Sequence, residues 1–270
     1  MALNGCEIKI LKSLIDNVAS STGRQARVLM LGYPDILATE KTFSRLNLPV
    51  AWESILKRSD AAAVWKGHGR DFGDYPMCES KALIKALGAS SMILDAIQWG
   101  DEDEIVDLNL PLTDEIKKHL GQFDIIIDPG TVEHCFNVAQ AFLTIVDLLA
   151  PSGFVYHQAA IAFPNHGFWS LSPTAFFDFY ESRHFTLGNS YAWVGIHDSE
   201  GFEPCFKPLD PFEVPNNFPA RMVGSFVFQK SSFGTVKVDG PYYPIQRCYS
   251  DKRRDIFLVD FIGKALAEGS

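Results

Sequence analysis

Between Phe123 and His166 the chain gathers the side-chain types that move protons: Asp128, Glu133, His134, His157 and His166, with Cys135 and Asn137 among them. An imidazole changes charge near neutral pH, so it can take a proton from a substrate and give it back. His134 is the first candidate for such a base, with the adjacent Glu133 as a candidate orienter. The alternative is that His134 only caps or packs under the helix that follows. His166, in Pro164-Asn165-His166-Gly167, is the second candidate, as a base or as a donor to an oxyanion, and His157 is the third. Glu133, His134, His157 and His166 are also metal-ligand types, but they show no fixed ligand spacing, and no metal is expected. Cys135, beside His134, reads as a buried helical thiol, with a reactive role as the alternative.

These residues need a frame, and the same stretch supplies one. Phe123-Asp124-Ile125-Ile126-Ile127-Asp128 is an apolar, β-branched run that ends in a carboxylate and a Pro-Gly break, the pattern of a buried parallel strand. Glu133 to Leu149 carries apolar residues at helical spacing, and Pro151-Ser152-Gly153 stops it. Phe154-Val155-Tyr156 opens the next strand. Strand, helix and strand make a crossover unit of an α/β sheet, whose ligands bind at the carboxyl ends of strands.

Size and composition set the outer limits. With 270 residues, 47% of them hydrophobic, the chain can bury a full core. A formal net charge of −9 disfavours nucleic acid and membrane surfaces as partners. The five cysteines are scattered and odd in number, which fits reduced thiols. Without an apolar leader or a long apolar run, a cytoplasmic protein with no membrane span is expected.

Taken in order, residues 4–19 read as an amphipathic helix, and Arg27 to Leu31 as the first buried strand, stopping at Gly32-Tyr33-Pro34-Asp35. Residues 36–75 read as an insertion with short helices over Thr39–Leu46 and Ala51–Lys57. The glycine-rich stretch Gly67 to Tyr75 is either a plain connection or a loop over a ligand. Helices are expected over Glu79–Leu87, Asp114–Leu120, Pro173–Ser182 and Asp255–Ala267, the third with an aromatic face whose default reading is core packing. Further strands are expected over Ser91–Asp95, Ile105–Asn109, Phe185–Ile196 and Arg221–Gln229. Residues 200–220 read as a loop over the site, and Asp239-Gly240 as a turn. Asp95 ends the second strand, where a carboxylate can accept from two vicinal ribose hydroxyls or cap a turn. One domain spanning 1–270 is expected, with an N-terminal helix, the 36–75 insertion and a C-terminal extension from about 197.

The order GYPD, ALGASSMILDA, DEIVDLNLPL, FDIIIDPGTVEHCFN, LLAPSGFVYH and NHGFWSLSPTAFFDFY resembles the class I S-adenosylmethionine-dependent methyltransferase superfamily. It is most similar to a bacterial methyltransferase-like group with EHxFN and NHGFY/W motifs. Two positions depart from that pattern: Pro129 stands where Gly is usual, and Gly32-Tyr33-Pro34-Asp35 replaces the usual glycine turn. The resemblance implies a Rossmann-like sheet, mostly parallel with an antiparallel closing strand and helices on both faces. It implies S-adenosylmethionine as cofactor and transfer of its methyl group to O or N of a small polar acceptor, such as a sugar derivative or secondary metabolite. Gly32 and Tyr33 would face the methionine part, Asp95 the ribose, Asp107 and Leu108 the adenine, and Asp128 with Thr131 the sulfonium side. The altered turn keeps a second reading open, a member that binds a nucleoside-type ligand or a protein partner without methyl transfer. A nicotinamide-dependent dehydrogenase is disfavoured, because G-x-G-x-x-G is absent.

Overall fold

The computed structural model describes residues 2–98, 100–198, 201–211, 221–232 and 244. The chain divides into two compact units, one through Asp107 and one from Leu108 onward. Parallel strands alternate with helices, and antiparallel strands complete the second unit, so the architecture is α/β and Rossmann-like.

In the first unit a two-residue strand β1 (Ala2–Leu3) leads into α1 (Gly5–Thr22). Asn4 caps α1 in a capping box: its side chain accepts from the helix backbone, and Glu7 reaches back to the Asn4 N–H. The expected apolar face is the buried one, with Ile8, Leu11, Leu14, Ile15 and Val18 inside. The strands β2 (Arg27–Leu31) and β4 (Ser90–Asp95) pair in parallel, Arg27 beside Ser90 and Leu31 beside Leu94. The short strand β5 (Glu104–Ile105) continues the ladder in parallel beyond β4 and stops well before Asn109.

Between β2 and β4, the two-residue β3 (Asp35–Ile36) pairs with β1, and α2 (Glu40–Arg45) forms where expected. The helix expected over Ala51–Lys57 is only a 3-10 turn at Trp52–Ser54, and an unexpected helix α3 (Ala61–Gly67) follows; α4 (Ser80–Ala86) forms within the expected Glu79–Leu87. The glycine-rich stretch is packed on its own surroundings. His68 meets Asp35 at 2.8 Å, Trp65 donates to the Tyr75 carbonyl, and Phe72 sets its edge against Trp65.

The second unit starts with α5 (Asp114–Leu120), capped by Thr113, and the fully buried strand β6 (Phe123–Asp128). A 3-10 turn, Val132–His134, follows, and then α6 (Val138–Leu148). The helix therefore begins later than Glu133, because Cys135 is extended and the Asn137 side chain caps the new start. Strand β7 (Leu149–Ala162) runs parallel to β6, and Asp128 and His157 are direct neighbours across that pair. After α7 (Pro173–Ser182), β8 (Phe185–Asp198), β9 (Gly201–Leu209) and β10 (Met222–Lys230) complete the unit in the order β6-β7-β10-β8-β9, with every pairing beyond β7 antiparallel. Residues 201–209 thus form an edge strand paired with β8, where a loop over the site was expected.

The aromatic face of α7 is core. Phe176 stacks on Phe226 of β10, Tyr180 stacks on Phe228, and Phe142 of α6 lies against Phe176 and Phe179. The expected Asp239-Gly240 turn and Asp255–Ala267 helix lie outside the described residues. Among the described residues no helix is long and apolar enough to cross a membrane.

Candidate functional site

Asp128, at the end of β6, is completely buried and fully engaged. Its Oδ1 accepts from the Thr131 and Val132 N–H groups at 2.7 and 3.2 Å, which fixes the turn after the strand. Its Oδ2 meets Nδ1 of His157 at 2.7 Å, and Nε2 of His157 meets the Tyr180 hydroxyl at 2.6 Å. All three side chains are out of reach of solvent. Burial and the nearby Asp128 charge push the Tyr180 phenol well above its ordinary range, so it stays protonated. This relay holds α7 to β6 and β7, and it removes His157 from the set of available bases.

The proton-moving groups that remain available stand one turn further on. The 3-10 turn carries Glu133 inward and His134 outward: Glu133 is 1% exposed, whereas His134 is open to solvent. Opposite them, the segment 163–169 presents His166. The two imidazole centroids are 5.2 Å apart, and His166 Nε2 is 3.9 Å from Glu133 Oε1. The sequence suggested Glu133 as orienter of His134; the structure sets Glu133 Oε1 3.9 Å from His166 Nε2, beyond hydrogen-bond reach, with all three groups inside one small cluster whose ligand atoms lie within 4.8 Å of one another.

Backbone contacts lock the two segments together. The Phe168 and Trp169 N–H groups both donate to the Glu133 carbonyl, and the Trp169 indole N–H donates to the Cys135 and Phe136 carbonyls. Gly167 is required at this contact, since a Cβ there would sit 2.7 Å from the Glu133 carbonyl oxygen. Gly130, with φ 94°, combines a left-handed backbone with a close approach to Glu133 Oε1.

The electrostatics follow from this placement. Burial, reinforced by the charge of Asp128, pushes the Glu133 carboxyl up to about 8. Its Oε1 accepts from the Ala160 N–H at 3.2 Å, while Oε2 is buried with no hydrogen-bond partner. Partial burial lowers both imidazoles below their ordinary value, and for His166 the nearby His134 adds to this. Both are therefore neutral at pH 7, as a base or a metal ligand must be.

Beside the histidines, Phe136, Phe168 and Trp169 form a contiguous exposed aromatic patch, with Phe136 edge-on to Phe168 at 5.5 Å. Helical periodicity assigned Phe136 to the core face of a helix. It is 69% exposed instead, because the helix begins only after Asn137.

The residues expected to meet a cofactor fall on both units. On the first, Gly32 has φ 75° and its N–H donates to the Leu94 carbonyl at 2.6 Å. The Tyr33 N–H donates to Asp95 Oδ2 at 3.3 Å, and the Tyr33 hydroxyl to Glu79 at 2.7 Å, with Arg58 over its ring. Asp95 Oδ1 accepts from the Ala96 and Ile97 N–H groups, so its carboxylate already ties the two strand-end turns of this unit. Each carboxylate oxygen offers two lone pairs, and Oδ2 holds only one long bond, which leaves Asp95 capacity for a hydroxyl donor. Asp107 is exposed and Leu108 buried; Thr131 is half-buried, with its N–H on Asp128.

No family model matches the chain, and no curated protein matches it. Solved structures do align. They include the N-methyltransferase NodS from Bradyrhizobium japonicum WM9, at 11% identity over 82% of this chain and 94% of that one, with a TM-score of 0.36. A SAM-dependent methyltransferase from Archaeoglobus fulgidus aligns at 10% identity over 83% and 94%, with a TM-score of 0.38. The MccD protein aligns at 13% identity over 81% and 96%, with a TM-score of 0.36. Likenesses this distant carry no argument about activity.

Proposed function

We propose that the chain is an S-adenosylmethionine-dependent methyltransferase acting on O or N of a small polar acceptor. The observation that carries this reading is the pair of solvent-facing, neutral imidazoles, His134 and His166, held just past the end of a parallel strand beside exposed aromatic rings. The sequence motifs that resemble methyltransferases fall on these same segments. The cofactor supplies an electrophilic methyl group on a cationic sulfur. His134 would take the proton that the acceptor gives up on methylation. His166 would hold the acceptor oxygen or nitrogen in line, and Glu133, 3.9 Å from His166, stands at the buried side of the pair. Phe136, Phe168 and Trp169 offer a flat face to a ring or sugar. Gly32, Tyr33, Asp95, Asp107, Leu108 and Thr131 are the residues that the sequence resemblance assigns to the cofactor. Asp128 acts through the turn it holds.

A second reading is favoured by one observation. The turn after β2 is braced by Asp95, Glu79 and Arg58, and the Pro34 carbonyl accepts from Ser80. A turn so occupied suits a chain that has exchanged cofactor turnover for binding a nucleoside-type ligand or a protein.

Calorimetric titration with S-adenosylmethionine and S-adenosylhomocysteine separates the two. Micromolar binding of either is expected. Folded protein that binds neither would overturn the methyltransferase reading in favour of the second.

A further inference from the structure

Glu133, His134 and His166 bring two imidazole nitrogens and one carboxylate into a cluster whose donor atoms lie within 4.8 Å of one another. We propose that these three side chains form a binding site for one divalent first-row transition ion, with Zn2+ the ion that suits the donor set best. Two nitrogens and one carboxylate oxygen are an established zinc donor set, and three protein ligands leave further positions for water or substrate.

An independent observation points to a cation. Oε2 of Glu133 is buried and has no hydrogen-bond partner, although a buried carboxylate oxygen left unpaired is costly. Its sister Oε1 accepts from the Ala160 N–H and stands 3.9 Å from His166 Nε2. A cation held between this carboxyl group and the imidazoles would offset the cost of burying it. The Ala160 contact would hold the carboxylate in place, as an outer hydrogen bond does for a ligating group.

The scaffold is rigid where a metal site needs it and adjustable where the donors must close. The turn with Glu133 and His134 is joined to the segment with His166 through the Glu133 carbonyl, which accepts from two N–H groups, and through the Trp169 indole. Metal bonds of roughly 2.0–2.2 Å require the donors to draw together by about an ångström. Both imidazoles are solvent-facing and can rotate to do so. His157 takes no part, since both its ring nitrogens are committed to Asp128 and Tyr180. The open positions would face solvent on the side of the histidines, where a bound water or acceptor hydroxyl would lose its proton more readily. With the ion bound, His134 would serve as a ligand and acidification at the ion would replace its role as base.

This proposal does not rest on the methyl-transfer reading, and its test contains no S-adenosylmethionine. Untagged protein, stripped with a chelator and dialysed, is titrated with Zn2+ by calorimetry near neutral pH. One site per chain with micromolar or tighter affinity is expected. His134→Ala and His166→Ala should each weaken it at least about tenfold while circular dichroism stays unchanged. Glu133→Gln, which keeps the shape of the side chain, should do the same. With Co2+ as probe, wild type should give visible d–d absorption that is lost in His166→Ala. Absence of saturable Zn2+ binding by folded wild type, or equal affinity in both histidine variants, would overturn the site.

Discussion

His157 and Asp128 face each other across the β6–β7 pair, and His157 Nδ1 lies 2.7 Å from Asp128 Oδ2 with neither side chain exposed to solvent. The carboxylate also receives two N–H groups of the next turn, so one residue ties β6 to β7 and shapes the turn that carries Glu133 and His134. Asp128→Asn has one carbonyl oxygen to serve contacts that now use both carboxylate oxygens. It should cost about 2–4 kcal/mol in urea denaturation, and Tyr180→Phe, which loses only the outer hydroxyl, about 1 kcal/mol. Equal stability of Asp128→Asn and wild type would show that the relay contributes nothing to the fold.

Glu133 gives stability a pH dependence of unusual sign. Its folded carboxyl is raised to about 8 by burial and by Asp128, against an ordinary value of 4.5. In chelator-treated protein between those two values, the unfolded chain has released this proton and the folded chain retains it. The contribution of Glu133 is therefore fully present at low pH and declines as pH rises from about 4.5 toward 8. The decline should amount to a few kcal/mol in order of magnitude. Glu133→Gln, which cannot ionise, should remove that slope from a series of denaturation curves. An unchanged slope in the variant would assign the pH dependence to other groups.

Gly167 sets the spacing between the two histidine segments. A methyl group there would stand 2.7 Å from the Glu133 carbonyl oxygen, and that oxygen belongs to the backbone and cannot swing away. Gly167→Ala should lower stability by about 1–3 kcal/mol and move His166 away from His134. Thermal melts read the first effect, and imidazole chemical shifts of the two histidines read the second. A variant with wild-type stability and shifts would mean that the segment has slack the close contact does not suggest.

Much of the frame was legible in the sequence because the physics that forms it is local. The Thr113 cap and Gly121 bound α5, and Pro173 after Ser172 starts α7 where expected. The buried run of β6 ends at Asp128 as its pattern implied. What escaped was tertiary. Periodicity extended the helix back to Glu133, whereas Val132–His134 form a separate 3-10 turn; the visible signal was Asn137, a good cap ahead of an apolar run. Pro204 and Pro208 made residues 201–209 look like a loop, yet prolines are tolerated at a sheet edge, where β9 lies. The approach of His166 to Glu133 depends on Gly167 and Trp169 meeting the backbone of a distant turn, and no spacing rule encodes that. The same holds for His157, whose commitment to Asp128 and Tyr180 comes from strand register and from the side of α7 that turns inward.

Asp95 carries the sharpest test of cofactor recognition, because its carboxylate serves the fold and is assigned to a ligand at once. Three N–H groups already reach it, two on Oδ1 and that of Tyr33 on Oδ2. Asp95→Asn retains one oxygen for the turn of Ala96 and Ile97, but its amide nitrogen cannot accept from a ribose hydroxyl. The substitution should therefore cost only about 1 kcal/mol of stability while weakening S-adenosylhomocysteine about tenfold or more. Asp95→Ala removes both functions and should lose about 1–2 kcal/mol of stability along with the affinity. Calorimetry beside urea denaturation distinguishes the roles: a loss of stability with unaltered affinity in both variants would make Asp95 a brace for the Tyr33 turn and remove it from the cofactor site.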